Sequence, residues 1–460
     1  MLVYRILQWL LRLATRVFFR HIEVVGLGNL PREGAVLFCG NHPNSLLDPI
    51  LITAFCGRIV HFAAKDTLFE SRLLAFLLRR MGAVPVRRRM DHPGQALAND
   101  DAFAALHQVL LEGRAVGIFP EGLSHLDSQL APLKTGAARI ALEVKRKAPE
   151  RPVHLVPTGL VYVTRHRFRS SVLVQFGAPV AVDVSAAADD RDDAGARAAV
   201  RALTQQIEAR LRALTINAES WDTIWVLDGV RRLYQPPDLT LEDRVELARR
   251  FNIAYPQVAH HADVRALFER VRAYLGRMSA AGLRDDILRR ELGVRDTLSR
   301  VVGHVGLLLF WMPLALLGAP IHMPMVLVVR YLGRWTAPRK DTVASAKFLM
   351  GFFGMLLLYA VLAGLVGWKL GAWAGALTAL ALPTSGWAFV HVMGRVDALR
   401  HLVLTLFRVI LLRREVGALR AERARLVDEV VAAVDRHRPA DMEPMFGARE
   451  GGTPAGSGPS

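Results

Sequence analysis

Between residues 21 and 183, short apolar runs alternate with stretches of helical spacing, and this alternation limits the fold more than any single motif does. Ile22–Val25, Val36–Cys39, Ile59–Ala63, Ala83–Val86, Ala115–Phe119, His154–Pro157 and Val172–Phe176 read as strands. Helical spacing begins at Ile50 and returns over Leu68–Met81, over about residues 94–112 and over 135–147. Strands alternating with helices predict an α/β domain, a mostly parallel sheet covered by helices on both faces.

In such a sheet the working residues sit where strands hand over to helices. Gly40-Asn41-His42-Pro43-Asn44-Ser45-Leu46-Leu47-Asp48-Pro49 occupies such a turn. Asp48 and Pro49 read as the N-cap and first position of a helix. A carboxylate fixed there can also hold an imidazole. A His–Asp pair with no neighbouring Ser or Cys nucleophile suits a general base that deprotonates an external hydroxyl. Three further strand ends carry candidates. Phe119-Pro-Glu-Gly122 brings Glu121 and a tight glycine turn towards the same crevice. Arg87, Arg88 and Arg89 follow Ala83–Val86, either as phosphate ligands or as a solvated basic loop. Val156-Pro157-Thr158-Gly159 would end a strand and shape an apolar wall.

The remainder of the chain divides by composition. Residues 1–20 form an amphipathic helix with a narrow stripe of Arg5, Gln8, Arg12 and Arg16, suited to a membrane interface or to packing on its own domain. Residues 21–184 are the α/β domain, and 185–300 a helical accessory region with turns at Gln235–Pro237 and around Tyr255–Pro256. Residues 301–394 are almost wholly apolar and supply lengths near the roughly 20 residues that span a bilayer. Residues 395–438 read as a charged amphipathic helix, and 439–460 as a disordered tail.

Charge decides the topology. The chain carries a formal charge of +17, which implies an anionic partner: nucleic acid, the anionic lipids of a membrane surface, or phosphorylated small molecules. Arg330, Arg334, Arg339, Lys340 and Lys347 crowd one connection of the apolar region, whereas Lys369 stands alone in the next. The positive-inside rule then puts residues 1–300, the 330–347 connection and the tail on the cytoplasmic face. This requires 301–332, broken by Pro320 and Pro324, to be a re-entrant hairpin, and 346–392 to be a two-helix hairpin in which Pro383 breaks the second segment. Arg-rich, Lys-poor composition points to a bacterial inner membrane. Cys39 and Cys56 lie in apolar surroundings and read as core, with no disulfide framework or zinc spacing. No metal or cofactor is expected. The Arg residues are dispersed with no recognisable module, which argues against nucleic acid. A transporter would show more spans and an internal repeat.

Taken together, in this order and spacing, the four strand-end blocks resemble those of the glycerolipid acyltransferase family, over about residues 20–180. The resemblance implies an α/β fold with a His–Asp pair beside an acyl groove. It implies transfer from acyl-CoA or acyl-carrier protein to a glycerol phosphate hydroxyl without a covalent intermediate. By this resemblance His42 is the base and Asp48 its orienting partner, and Arg88 matches the arginine implicated in binding the acceptor phosphate. Glu121 and Gly122 match the third block, also linked to acceptor binding, and Pro157 matches the fourth, a further substrate-binding position. Lys134 and Gly136 resemble the segment that follows the third block, and Lys65 a lysine after the second strand. Five residues separate His42 from Asp48, where four are commoner, so one must be looped out for the pair to meet. Phe-Pro-Glu-Gly-Leu-Ser-His125 also departs from the commoner Thr-Arg-Ser ending. Both departures, with apolar segments after the catalytic domain, are similar to the fungal-type glycerol-3-phosphate and dihydroxyacetone-phosphate acyltransferases. A lysophosphatidate acyltransferase and a non-enzymatic membrane protein are the alternatives.

Overall fold

The structure, a computed structural model, describes residues 2–87, 100–183, 193–236, 238–289, 294–337, 339–439 and 442. The expected tail therefore lies outside the described residues, apart from 439 and 442. In chain order the first elements are α1 (Leu2–Phe18), β1 (His21–Val25), β2 (Ala35–Gly40), α2 (Leu47–Phe55), β3 (Val60–Lys65), α3 (Arg72–Arg80) and β4 (Val84–Val86). Next come α4 (Asp100–Leu111), β5 (Ala115–Ile118), α5 (Gly136–Lys147), β6 (Val153–Tyr162), β7 (Ser171–Phe176), β8 (Val180–Ala181) and α6 (Asp193–Arg212). The strands form one sheet in the order β1-β7-β6-β2-β5-β3-β4, with β8 beside β6. Strands β2 to β6 run parallel, while β7 and β8 pair with β6 antiparallel. The expected mostly parallel, helix-covered sheet is therefore present.

Period-2 alternation shows why the central strands are continuously apolar. Ala35, Leu37 and Cys39 of β2 enter a core shared with α4, α5 and α6, whereas Val36 and Phe38 enter a second core with α1 and α2. Leu203, Ile207 and Leu211 of α6 belong to the first core, so the packing division falls after residue 216 rather than at 184/185. Strand β6 runs five residues past its expected end at Pro157. Its outer neighbour changes there from β8 at His154 and Leu155 to β7 at Thr158–Tyr162. A proline, having no N–H to donate, fits at that changeover.

Helix α1 packs against α2 through Tyr4, Gln8 and Arg12, while Arg5 and Arg16 of its polar stripe stay exposed. Tyr4 OH accepts from Val60 N at 2.9 Å, Gln8 Nε2 donates to Thr53 O at 2.6 Å, and Arg12 Nε donates to Ala54 O at 2.8 Å. The two latter carbonyls belong to the end of α2, where helical partners run out. The exposed side then carries Leu2, Ile6, Trp9 and Leu13. Both readings of this helix meet here: it docks on its own domain and presents an apolar face.

The apolar region forms α11 (Val294–Trp335), α12 (Val343–Leu370) and α13 (Ala372–Leu411); α7 to α10 and α14 are given below. All three are long and apolar enough to cross a membrane. Gly367 lies against Gly375, so α12 and α13 are antiparallel about Gly371. Pro383 stays inside α13 instead of breaking it. Thr384 and Ser385 hydroxyls donate to Ala381 O and Leu382 O, satisfying carbonyls next to the proline.

Helix α11 is helical throughout, yet its two halves run in opposite directions. Its second half lies antiparallel to α12, with Gly333 against Lys347, Met325 against Gly354, and His322 Nδ1 3.5 Å from Tyr359 OH. Its first half lies antiparallel to α13, with His304 bonded to Arg395 at 3.1 Å, Trp311 beside His391, and Gly318 against Ser385. Since α12 and α13 themselves oppose one another, α11 must double back between Gly318 and Pro324. Pro320 and Pro324 supply the missing hydrogen bonds that permit it. This agrees with the expected Pro-broken hairpin.

The second compact unit comprises residues 217–291 and 407–460. It contains α7 (Trp221–Tyr234), α8 (Leu241–Val258), α9 (Ala262–Ala280), α10 (Asp285–Arg289) and α14 (Arg413–His437) around Val226, Val271, Tyr274, Leu419 and Val430. Arg423 and Asp285 form a mostly buried ion pair at 2.9 Å. The turn expected at Tyr255–Pro256 is absent. Pro256 lies in the last turn of α8, where losing one N–H costs a single bond.

The doubled-back α11 makes a topological prediction. Native Cys39 and Cys56 are buried, so single cysteines can be read cleanly. In sealed vesicles, Ser299→Cys and Thr336→Cys should react with an impermeant maleimide from the same side, and Trp373→Cys from the other. Labelling of residues 299 and 336 from opposite sides would show that α11 crosses.

Candidate active site

The parallel strands β2 to β6 point their C-terminal ends to one edge, and the polar residues gather there. After β2, the Asn41 side chain donates to Leu160 O at 3.1 Å and accepts from Leu160 N at 2.7 Å, extending the β2–β6 pairing by one step. The next residue, His42, is therefore launched from a fixed backbone. Its Nδ1 is 2.8 Å from Asp48 Oδ2. Asp48 is fully buried, and its oxygens also accept from Asn44 N at 2.7 Å and Tyr162 OH at 2.6 Å.

Asp48 is not the N-cap expected from sequence. Helix α2 begins one residue earlier, and no side chain caps it. The carboxylate instead turns back over the turn, and the preference of a residue before proline for extended backbone is overridden. The extra residue of the His–Asp spacing is absorbed at Ser45, whose φ of 52° lies in the left-handed region. Its N–H donates to Ser124 Oγ at 3.1 Å.

Burial pushes the Asp48 carboxyl up, while the bonds from His42, Tyr162 and Asn44 pull it down. Burial and the Asp48 charge push the Tyr162 phenol far up, so Tyr162 remains a donor. With Nδ1–H committed to Asp48, Nε2 is the bare nitrogen, and it has no hydrogen-bond partner among the described residues. The imidazole stacks on Phe119, centroids 4.1 Å apart and 10° from parallel. A Cβ at Gly40 would come within 2.9 Å of that Phe119 ring, which is why the strand ends in glycine.

Glu121 is buried behind this pair. Its Oε1 accepts from His42 N at 2.7 Å, and its Oε2 accepts from Ala131 N at 2.9 Å and contacts His125 Nε2. Both oxygens are thus engaged by protein donors, and the carboxylate braces the loop under His42. Gly122 has φ of 74°, and a Cβ there would lie 2.5 Å from Lys134 Nζ. The Lys134 ammonium thus lies over this turn. Gly136 opens α5.

Lys65 and Arg87 end the neighbouring strands β3 and β4, at the same sheet edge as His42, and Arg87 lies 3.9 Å from Asp66. Arg88 lies outside the described residues. Pro157 lies in mid-strand opposite Cys39, a structural position away from the strand end where the sequence reading put it. Sequence reasoning missed Tyr162, His125 and Arg165. A tyrosine closing an apolar strand was the available signal, since a buried hydroxyl needs a partner. Arg165 donates to His125 O at 3.5 Å; burial works against its charge, while Asp48, Tyr162, Asp127 and Glu121 favour it.

Residues 21–161 match the acyltransferase family model, and residues 226–442 match the glycerol-3-phosphate acyltransferase 2 C-terminal domain. The chain carries an acyltransferase domain followed by this C-terminal domain. Glycerol-3-phosphate O-acyltransferase 2 of Saccharomyces cerevisiae is 25% identical over 62% of the chain and 52% of its own length. Glycerol-3-phosphate O-acyltransferase 1 of the same yeast is 24% identical over 78% of the chain and 60% of its own. The chain thus spans little more than half the length of these relatives. The crystal structure of the 1-acyl-sn-glycerophosphate acyltransferase from Thermotoga maritima matches with a TM-score of 0.33 and 21% identity, over 46% of the chain and 80% of that structure. His42, Asp48, Glu121, Gly122 and Pro157 fall within the acyltransferase domain. The three long apolar helices make the chain a membrane protein.

Two outcomes follow from this geometry. Tyr162→Phe removes a hydrogen bond to a buried carboxylate, a bond worth about 1.5–3 kcal/mol. It should lower turnover of the acyltransferase domain about tenfold while leaving substrate KM values unchanged. The second concerns pH. Contact with Glu121 raises the His125 pKa above 6.5. A raised folded-state pKa contributes stability that is fully present below 6.5 and is lost as pH rises through the folded value. The Tm difference between wild type and His125→Gln should therefore be largest in mildly acidic buffer and shrink towards alkaline pH; a difference that grows with pH would rule out a protonated His125.

Proposed function

We propose that the protein transfers a fatty acyl group from an acyl thioester, acyl-CoA or acyl-carrier protein, to a hydroxyl of glycerol-3-phosphate or dihydroxyacetone phosphate at a membrane. The observation that carries this reading is the His42–Asp48–Tyr162 chain, which leaves Nε2 available as a base with no nucleophile bonded to it among the described residues. The acceptor hydroxyl loses its proton to His42 Nε2, and its oxygen attacks the thioester carbon. Asp48 stabilises the imidazolium that forms. The tetrahedral oxyanion collapses, the C–S bond breaks, and His42 returns the proton to the departing thiolate.

Lys65, Arg87, Arg88 and Lys134 are the cations we assign to the acceptor phosphate, because Lys65 and Arg87 stand at the C-terminal edge of the sheet that carries His42 and Lys134 lies over the Gly122 turn. The first acylation step is favoured over acylation of lysophosphatidate by two features. The C-terminal domain match covers residues 226–442, and the His–Asp turn holds five residues. The longest relatives are fungal, so the membrane of a bacterium, expected from composition, gains no support from them. The catalytic domain and the 336–348 connection lie on one side of the bilayer in this reading, since Arg339 reaches Ser124 O at 2.9 Å.

Purified protein should be offered radiolabelled acyl-CoA with glycerol-3-phosphate, dihydroxyacetone phosphate or lysophosphatidate in turn. Monoacyl product from one of the first two is expected, with a loss of about a thousandfold or more in His42→Ala. Product from lysophosphatidate alone would move the assignment to the second acylation step. Full activity in His42→Ala would end the acyl-transfer reading.

A further inference from the structure

The turn that joins His42 to Asp48 is gripped from a point three hundred residues away. Ser345, in the first turn of α12, donates its hydroxyl to Asn44 O at 2.9 Å and accepts from Leu47 N at 3.3 Å. These two backbone groups flank Ser45 and Leu46, the pair where the longer turn bulges. Ser345 is 4% exposed, and its neighbours Ala344 and Phe348 pack in the same core as Leu47, Leu51 and Ile52 of α2. The same connection holds the other side of the turn. Arg339 Nη2 donates to Ser124 O at 2.9 Å, and Ser124 Oγ accepts from Ser45 N at 3.1 Å. Arg339 is itself oriented by Asp341, with Nε 3.0 Å from Oδ1. Lys347 reaches His166 O at 3.4 Å.

We infer that the connection between α11 and α12 is a positioning element for the catalytic base, with Ser345 as the residue that sets the separation of His42 and Asp48. The physical need is specific to this turn. Around the residue in left-handed backbone the turn is closed by one weak backbone bond, Leu47 N–H to Asn44 O at 3.2 Å, and Asn44 N is one of the three donors to Asp48. A hydroxyl that bonds both of these groups braces that closure from outside the turn. The base then depends on a residue of the apolar region that touches neither substrate nor imidazole. Displacements of about 1 Å in a catalytic group can cost a hundredfold in rate, so a small relaxation is measurable.

The inference rests on the acyl-transfer reading, and one readout is chosen to be independent of it. Full-length wild type, Ser345→Ala, Ser345→Thr and Arg339→Gln should be compared in detergent. In the acceptor assay, Ser345→Ala should lower kcat about tenfold with both KM values within about twofold, and Ser345→Thr should recover most of the loss. Arg339→Gln, a change at a half-exposed side chain, should lower kcat about threefold. In parallel, carbethoxylation of His42 by diethyl pyrocarbonate, followed by peptide mass spectrometry, should differ at least threefold between wild type and Ser345→Ala. That second readout needs no turnover. If wild type transfers no acyl group, the functional reading falls, and the His42 rate still decides the positioning role. Wild-type kcat and wild-type His42 reactivity in Ser345→Ala would overturn the inference, as would a change confined to KM. Should Ser345→Ala fail to fold, an unchanged kcat and unchanged His42 reactivity in Arg339→Gln would overturn it instead.

Discussion

The Asp48 carboxylate is completely buried, and burying a charge is affordable only when its oxygens are met by donors. Three groups meet them: the His42 ring, the Tyr162 hydroxyl at the end of β6, and the Asn44 amide within the turn. Two come from the turn itself and one from the far end of β6. The site therefore exists only when β2, β6 and the start of α2 are simultaneously in register. The Asn41 amide, bonded both ways to Leu160, ties the two strands together one residue before the histidine. The His42–Asp48 pair is consequently held by a local turn that the neighbouring strand completes. Removing any one donor leaves a buried oxygen short of a partner, which is the costly direction of the hydrogen-bond asymmetry.

The sheet makes this possible because both of its faces are sealed. Strand β2 alternates Ala35, Leu37 and Cys39 into one core with Val36 and Phe38 into the other, so it has no freedom to slip by a residue. The strand edges that carry chemistry then inherit a fixed register. Phe119 leaves β5 at the same edge as His42 leaves β2 and lies flat against the imidazole. Glu121, two residues on, closes beneath the histidine backbone. Its carboxylate sits where a ligand for the acceptor was expected, yet both oxygens are spent on protein N–H groups and His125.

What could be read from sequence was whatever depends on near neighbours. Strand identity followed from apolar runs, and the His–Asp pairing followed from a turn between a strand and a helix. The bend in α11 followed from Pro320 and Pro324. Reading a proline as a stop failed at Pro157, Pro256 and Pro383, because each sits where its missing N–H has no needed partner or where neighbouring hydroxyls compensate. The role of Asp48 as a cap failed because its carboxylate is taken up by the His42 ring, the Asn44 amide and the distant Tyr162 hydroxyl together, and capping preference is a local tendency of about 1 kcal/mol. The partners of Tyr162 and Ser345 were illegible because they are distant in sequence. Tyr162 and Ser345 sit 114 and 301 positions from their partners Asp48 and Asn44, and no local pattern encodes such pairs.

In the proposed reaction the membrane enters the chemistry through the product. A fatty acyl chain gains about 0.8 kcal/mol per buried CH₂, so in that reaction a chain of ordinary length stays in hydrocarbon while its carboxyl carbon reaches His42. Helix α1 uses Gln8 and Arg12 on the end of α2, the helix that itself begins at the His42–Asp48 turn, and turns Leu2, Ile6, Trp9 and Leu13 outward. Helix α12 enters from the other side, with Ser345 on that turn and an apolar length beyond it. The turn carrying Asp48 is thus fastened to two apolar elements at once. An inserted residue, which in a free loop would loosen a histidine from its carboxylate, is tolerable here because the groups flanking it are bonded to an apolar helix.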